Sequence, residues 1–235
     1  MDAKKVLGQP LTLPSGEVLP NRLAKAAMSE GLSDPRGHAT DALIGLYQRW
    51  AEGGIGLQIT GNVQVDARHL ERPGNVIVAG PQSAEAMNVL KAWAKASRSR
   101  GAGLWMQLAH AGRQTPRIVN RHPNAPSAVA MQYAVSIVGL ARPLCTDFDG
   151  PARLLREGGA LDRPESRLRL GPGWFGPQSP FKLMKTANGF AVMSWYFQQL
   201  RSVNAAQGVL AAFLSERKAA RAWLVEARRA QTLES

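Results

Sequence analysis

Cys145 is the only cysteine among the 235 residues. An intrachain disulfide is therefore excluded, and a reducing, cytoplasmic setting is expected. No apolar run approaches the eighteen or so residues that a bilayer span needs. The opening stretch "MDAKKVLGQPLTLPSG" has no apolar h-region, so neither a membrane segment nor a secretory signal is expected. Acidic residues are also scarce: 17 Asp and Glu stand against 29 Lys and Arg, a formal net charge of +12. Such a surplus favours anionic partners such as nucleic acid, acidic lipid or a phosphorylated cofactor. Yet the basic residues are scattered, through Arg49, Arg98, Arg100, Arg113, Arg117 and Arg121, and thicken only towards Arg228 and Arg229. No block of five or six like charges exists, which reads as a solvated basic surface rather than a nucleic-acid stripe. No internal repeat is evident, and no metal is expected.

What is present is an alternation. "PLTLPSGEVLPNR" switches between apolar and polar residues around Ser15-Gly16, a hairpin signal. A short small-residue strand follows, Leu23 to Met28. Thr40 can cap a helix whose apolar face is Leu43, Leu46, Tyr47 and Trp50, ended by Gly53 and Gly54. "GIGLQITGNVQVD" is a nearly continuous apolar strand, the kind buried on both faces of a parallel sheet. A second helix begins near Ser83 with a stripe of Met87, Leu90, Ala94 and Ser97. "GLWMQLAH" is the next strand, Leu104 to His110. Residues 20 to 110 thus read β-α-β-α-β, which means α/β architecture with a parallel sheet, open or closed into a (β/α)8 barrel. Functional polar residues then belong at the carboxyl ends of the strands, where Ser29, Asn62, Gln107 and His110 fall.

After His110 the alternation breaks. Residues 111 to 132 read as loop, and the next strand, Tyr133 to Leu140, arrives with no crossover helix before it. Parallel neighbours need a connection of a dozen or more residues, usually helical. A short helix is expected from near Asp147, then an irregular Gly/Pro segment in which Trp174 anchors the loop. Two helices, Phe181 to Leu200 and Gly208 to Arg229, close the chain. The last carries Leu210, Phe213, Leu214 and Leu224 on one side. Cys145 reads as a packed thiol, His110 as a loop-facing histidine, and Arg113 as a surface or loop-anchoring charge.

The stretches "LPNRLAKAAMSEG", "YQRWAEGGIGLQITGNVQVD", "LWMQLAHAGRQ" and "HPNAPSAVA" resemble the start of an old yellow enzyme, an FMN-dependent NADH:flavin oxidoreductase on a (β/α)8 barrel. "VGLARPLCTD" and "RLGPGWFGPQSPFKLMKTANGF" resemble the end of one. The resemblance implies that residues 1–132 and 133–235 are the two ends of a single incomplete domain, joined between Gln132 and Tyr133 where the middle of the barrel is missing. A complete barrel needs about 250 residues. The implied fold is a partial barrel that keeps the first, second, third and eighth strands, with an N-terminal hairpin and C-terminal helices.

The same resemblance implies a flavin site. Ala27, Met28 and Ser29 would line the isoalloxazine, and Gly61 would let it approach, having no Cβ. Gln107 would hydrogen-bond the pyrimidine edge with an amide that both donates and accepts. Ala141, through its backbone, and Arg142 would hold the FMN phosphate. The family's carbonyl-gripping pair (two histidines, or a His and an Asn), its proton-donating tyrosine, a basic residue of the sixth strand and the glycine-rich phosphate segment of the seventh fall in the missing stretch. The implied function is hydride transfer from NAD(P)H through FMN to an activated, enone-type alkene, with FMN binding weak or lost and catalysis impaired. The alternative is a non-catalytic remnant or a basic binding or partner protein. Self-association through the open barrel edges is expected; membrane and nucleic-acid partners are not.

Overall fold

The computed structural model describes residues 3–112, 115–116, 119–120, 138–140, 142–158, 161, 168–171, 173–201, 218–219 and 221–226. A short helix α1 (Ala3–Leu7) leads into the hairpin β1 (Leu11–Thr12) and β2 (Val18–Leu19), paired antiparallel as Leu11↔Leu19 and Thr12↔Val18. Gly16 takes the left-handed turn conformation, φ 87°, that its lack of a Cβ permits.

Strand β3 (Leu23–Lys25) is shorter than the sequence pattern suggests. The chain after Lys25 crosses over Gly61 instead of running beside it: a Cβ on Gly61 would lie 2.2 Å from the Met28 carbonyl oxygen. Helix α2 (Asp41–Glu52) begins where Thr40 Oγ1 accepts the Leu43 N–H and ends at Gly53, as the capping residues predict. Strand β4 (Leu57–Gln64) follows, then helix α3 (Ala84–Ser97), capped by Ser83 on the Ala86 N–H. The buried stripe of α3 is Ala86, Trp93 and Ser97, with Leu90 half-buried, while Met87 is exposed. The face is thus turned by about one residue from the predicted stripe. Trp93 turns it, docking edge-on against Tyr47 of α2 with ring centroids 5.1 Å apart. Strand β5 (Gly103–Ala109) completes the expected β-α-β-α-β run.

Strand β6 (Val138–Leu140) is the described part of the predicted strand 133–140; residues 133–137 lie outside the described set. One parallel sheet has the order β5-β4-β3-β6, with Leu23↔Val138, Lys25↔Leu140, Ala24↔Leu57 and Leu57↔Gly103 in register. It does not close among the described residues. After β6, a 3-10 turn over Arg142–Cys145 delays the next helix, α4 (Gly150–Glu157), three residues past the predicted start. Pro143 supplies the delay: its carbonyl accepts from the Thr146 and Asp147 amides and closes a turn there. Helix α5 (Lys182–Arg201) matches its prediction within a residue.

The main core lies between the sheet and its helices. Leu23, Leu43, Tyr47, Trp50 and Trp93 meet Leu144, Phe148, Tyr196 and Leu200 from the second half of the chain. The Trp50 indole N–H donates to the Leu144 carbonyl at 2.9 Å, tying the two halves together. Cys145 is buried in the same core, a packed thiol. A smaller cluster of Leu19, Ala24 and Leu57, flanked by Leu11 and Leu13, seats the hairpin on the sheet's other face. Trp174 does not anchor its loop in the described fold: it is 68% exposed, and its ring meets the exposed Phe181 edge-on. Of the terminal helix, residues 218–219 and 221–226 are described as helical. Leu224 is buried and the Trp223 indole N–H reaches the Ser33 and Asp34 carbonyls. Leu210, Phe213 and Leu214 lie outside the described residues, as does Arg113. No described helix is long and apolar enough to cross a membrane.

Candidate functional site

The carboxyl ends of β3, β4 and β5 converge on two polar networks. The first is buried behind β3. Lys25 is fully enclosed; its Nζ donates to the Ile59 carbonyl at 2.8 Å and the Ala26 carbonyl at 3.2 Å, and lies 3.1 Å from Glu30 Oε1. The rings of Tyr47 and Trp50 flank it at 5.0 and 4.8 Å. Burial pulls the Lys25 ammonium below its ordinary pKa, with Glu30 opposing the shift. Burial, reinforced by Glu30, pushes the Tyr47 hydroxyl well above its ordinary value. That hydroxyl donates to Glu30 at 2.7 Å and accepts the Gly61 N–H at 3.2 Å. Residues 26–30 are therefore held from behind at both ends, at Ala26 and at Glu30.

The second network faces the strand ends. Ser29 Oγ donates to Glu71 Oε2 at 2.5 Å, and Asn62 Nδ2 reaches the same oxygen at 3.4 Å. Gln107 Nε2 donates to Asn62 Oδ1 at 2.5 Å, while the Gln107 backbone N–H bonds Thr60 Oγ1 at 2.8 Å. Asn75 Nδ2 closes the group on the Asn62 carbonyl at 3.2 Å. Ser29 and Gln107, 78 positions apart in sequence by subtraction, are thus linked through Asn62 and Glu71. Gln107 is exposed, so its amide stays accessible.

The other predicted positions are distributed less simply. Ala27 sits within the pinned segment. Met28 turns its side chain to the core, its sulfur 4.0 Å from Cys145 Sγ. The neighbours a Cβ on Gly61 would meet are the chain's own Met28, Ser29 and Glu30. Arg142 opens the 3-10 turn after β6; Ala141 lies outside the described residues. The cavity that Ser29 and Gly61 line holds about 10 Å³, room for no more than a water. A cleft of about 620 Å³ opens instead between Arg36, His38, Arg68 and Trp223, and no predicted site residue lines it.

Lys25, Glu30, Tyr47, Glu71 and Asn75 were not anticipated as site residues. Glu71 and Asn75 had a signal, since "ERPGN" follows a strand whose carboxyl end was marked as functional. Lys25 and Tyr47 had none: a lysine in a strand and a tyrosine on a helix's apolar face read as edge and core. His110 also differs from a plain loop-facing residue. Its ring stacks on His69 with centroids 4.6 Å apart, and both histidines flank Asp66, His69 Nδ1 at 3.0 Å and His110 Nε2 at 3.8 Å. Arg68 bonds the same carboxylate at 2.9 and 3.0 Å and holds it well below the usual carboxylate range.

No family model matches the chain. A flavin oxidoreductase from Neonectria sp. (strain DH2), named as NADH-dependent, is 38% identical over 140 residues, 57% of this chain and 18% of that protein. One of the same name from Hypocrea jecorina (strain QM6a) is 37% identical over 147 residues, 57% of this chain and 37% of that protein. The chain is similar to the NADH-dependent flavin oxidoreductases. A Thermoanaerobacter brockii NADH oxidase is 36% identical over 125 residues, 49% of this chain and 18% of its own length. The chain therefore spans well under half the length of these relatives. Among solved structures, the old yellow enzyme homologue from Zymomonas mobilis overlaps 52% of this chain and 33% of its own, at 23% identity and a TM-score of 0.44. Morphinone reductase overlaps 52% and 32%, at the same identity and TM-score.

Proposed function

We propose that this chain carries part of an FMN site of the old yellow enzyme type, on a partial (β/α)8 barrel whose ends are residues 1–132 and 133–235. The observation that carries the reading is the Ser29–Glu71–Asn62–Gln107 network at the strand ends. It joins the segment after β3 to the exposed amide of β5, the two places where the family resemblance puts the flavin's contacts. The donor set fits one side of a flavin. Gln107 offers its amide to the pyrimidine edge, Asn62 orients that amide, and Ser29 with the backbone of Ala27 and Met28 forms the neighbouring wall. Arg142 and the Ala141 backbone would take the phosphate, a guanidinium matching two phosphate oxygens at once.

When bound, FMN supplies hydride transfer from NAD(P)H to the β-carbon of an activated alkene. This chain's residues would bind and orient it; by the family resemblance, the groups that aim donors at a substrate carbonyl belong to the missing stretch. Removing one such donor costs about 10²–10³ in rate, so turnover is expected no faster than free FMN with NADPH. The open sheet would cover a bound flavin on one side, so weak affinity is expected.

The test is fluorescence titration of the purified chain with FMN. Saturable binding weaker than about 1 µM, roughly −8 kcal/mol, is expected. Arg142→Ala should weaken it most, and Gln107→Leu by a factor of about 2–10, the worth of one neutral hydrogen bond. Affinity unchanged in both variants, or no binding at all, overturns the reading.

A further inference from the structure

Among the described residues, strand β5 ends the sheet on one side and β6 on the other, and both run in the same direction. The sequence of β5, "GLWMQLA", carries no charge and no proline, the usual protections of a free edge. Its backbone orientation can be read from two bonds. The Gln107 N–H bonds Thr60, and the Ala109 carbonyl accepts from the Val65 N–H, so these residues face β4. Alternation along a strand then turns the amides of Met106 and Leu108 towards the open edge. The side chains are uncovered too: Trp105 is 43% exposed and Leu108 61%. Trp105 lies opposite Ile59, on the face where Gly103 meets Leu19 of the hairpin. That face is covered at its base and open above.

We propose that the occupant of this edge is a second copy of the chain. β5 of each copy pairs in parallel with β6 of the other, about a two-fold axis running along the strands. The direction of the strands selects this partner. A rotation about an axis parallel to them leaves both copies' strands pointing the same way, so the β5 edge meets a β6 edge twice. One operation satisfies both edges and closes eight strands. It also covers the Trp105 face of both copies. A foreign strand would cover one edge and leave the other open. Each copy carries +12, so repulsion opposes the pairing and salt strengthens it. The proposal rests on the sheet alone and is read by mass, so it stands or falls apart from the flavin reading.

Sedimentation velocity of the full chain decides it, over a roughly hundredfold concentration range and at low and high salt. A dimer of the 25.3 kDa chain is expected, its share growing with concentration and with salt. A monomer throughout overturns the proposal. So does an open-ended series of larger species, since that is what edges that pair without closing produce. Leu108→Lys sets a charge at the edge, and Leu108→Pro removes an edge-facing N–H; both should give monomer with an unchanged far-UV spectrum. Met87→Lys, on the exposed face of α3, is the control and should remain dimeric. Dimers that persist in both Leu108 variants place the interface elsewhere and overturn the assignment.

Discussion

Strands β4 and β5 are neighbours, parallel and of similar length, yet they live in different surroundings. "LQITGNVQ" is buried or half-buried at every position, including Gln58, Thr60 and Gln64. "GLWMQLA", the more apolar of the two, is exposed at four of its seven positions. Composition does not explain this. β4 has a strand on each side and helices α2 and α3 over it. Two of its polar residues find partners inside: Gln58 Nε2 donates to the Tyr47 carbonyl at 3.1 Å and the Ser97 carbonyl at 2.8 Å, and Thr60 Oγ1 accepts the Gln107 N–H at 2.8 Å. β5 has one strand beside it among the described residues, and no crossover helix follows it there. Burial of a strand is set by its neighbours; its own sequence only makes burial favourable.

The comparison can be broken most directly with two leucines. Leu57 on β4 is 1% exposed and packs with Leu19 and Ala24. Leu57→Ala should cost about 2–5 kcal/mol in urea unfolding, the range for a buried leucine that leaves a cavity. A loss near zero would mean that β4 is not the centre of the fold. Next in size is Tyr47→Phe. It keeps the ring between Trp50 and Trp93 but leaves Glu30 without its hydroxyl donor and the Gly61 N–H without an acceptor. The expected cost is about 1–3 kcal/mol, the penalty for stranded buried polar groups. An unchanged midpoint would show that the network behind β3 does not hold the 26–30 segment. The smallest effect belongs to Leu108→Ala on β5, within about 0.5 kcal/mol for the isolated chain, as for surface sites generally. At concentrations where two chains pair, the same change should cost more. A concentration-independent penalty as large as that of Leu57→Ala would erase the distinction between the strands.

Much of the fold was legible along the chain. Thr40 and Ser83 announced the two helices because a side-chain oxygen before an apolar-periodic run satisfies the first free amides. Ser15-Gly16 announced the hairpin, and the β-α-β-α-β alternation announced the parallel sheet. The misreadings share a cause. Of the predicted α3 stripe, Met87, Leu90, Ala94 and Ser97, the last three are buried or half-buried, but Met87 is exposed because the bulk of Trp93 decides which face goes inward. Trp174 reads as an anchor because large aromatics usually bury, yet its ring meets the exposed Phe181 and stays 68% exposed. For the candidate site, Ser29, Asn62 and Gln107 were visible as polar residues at strand ends. Lys25, Tyr47 and Glu71 were not, because their roles come from groups far away in sequence.

The sequence by itself determined the order of elements, the caps and turns, the parallel sheet and the likeness to flavin oxidoreductases. These depend on local spacing and on ordered motifs, which a linear chain displays. Only the tertiary structure decided which strand is central and which is the edge, that Lys25 is enclosed beside Glu30 and two rings, and that Ser29 and Gln107 share one network. Those outcomes are set by which residues become neighbours once the sheet forms, and the energies of burial and hydrogen bonding attach to neighbours in space.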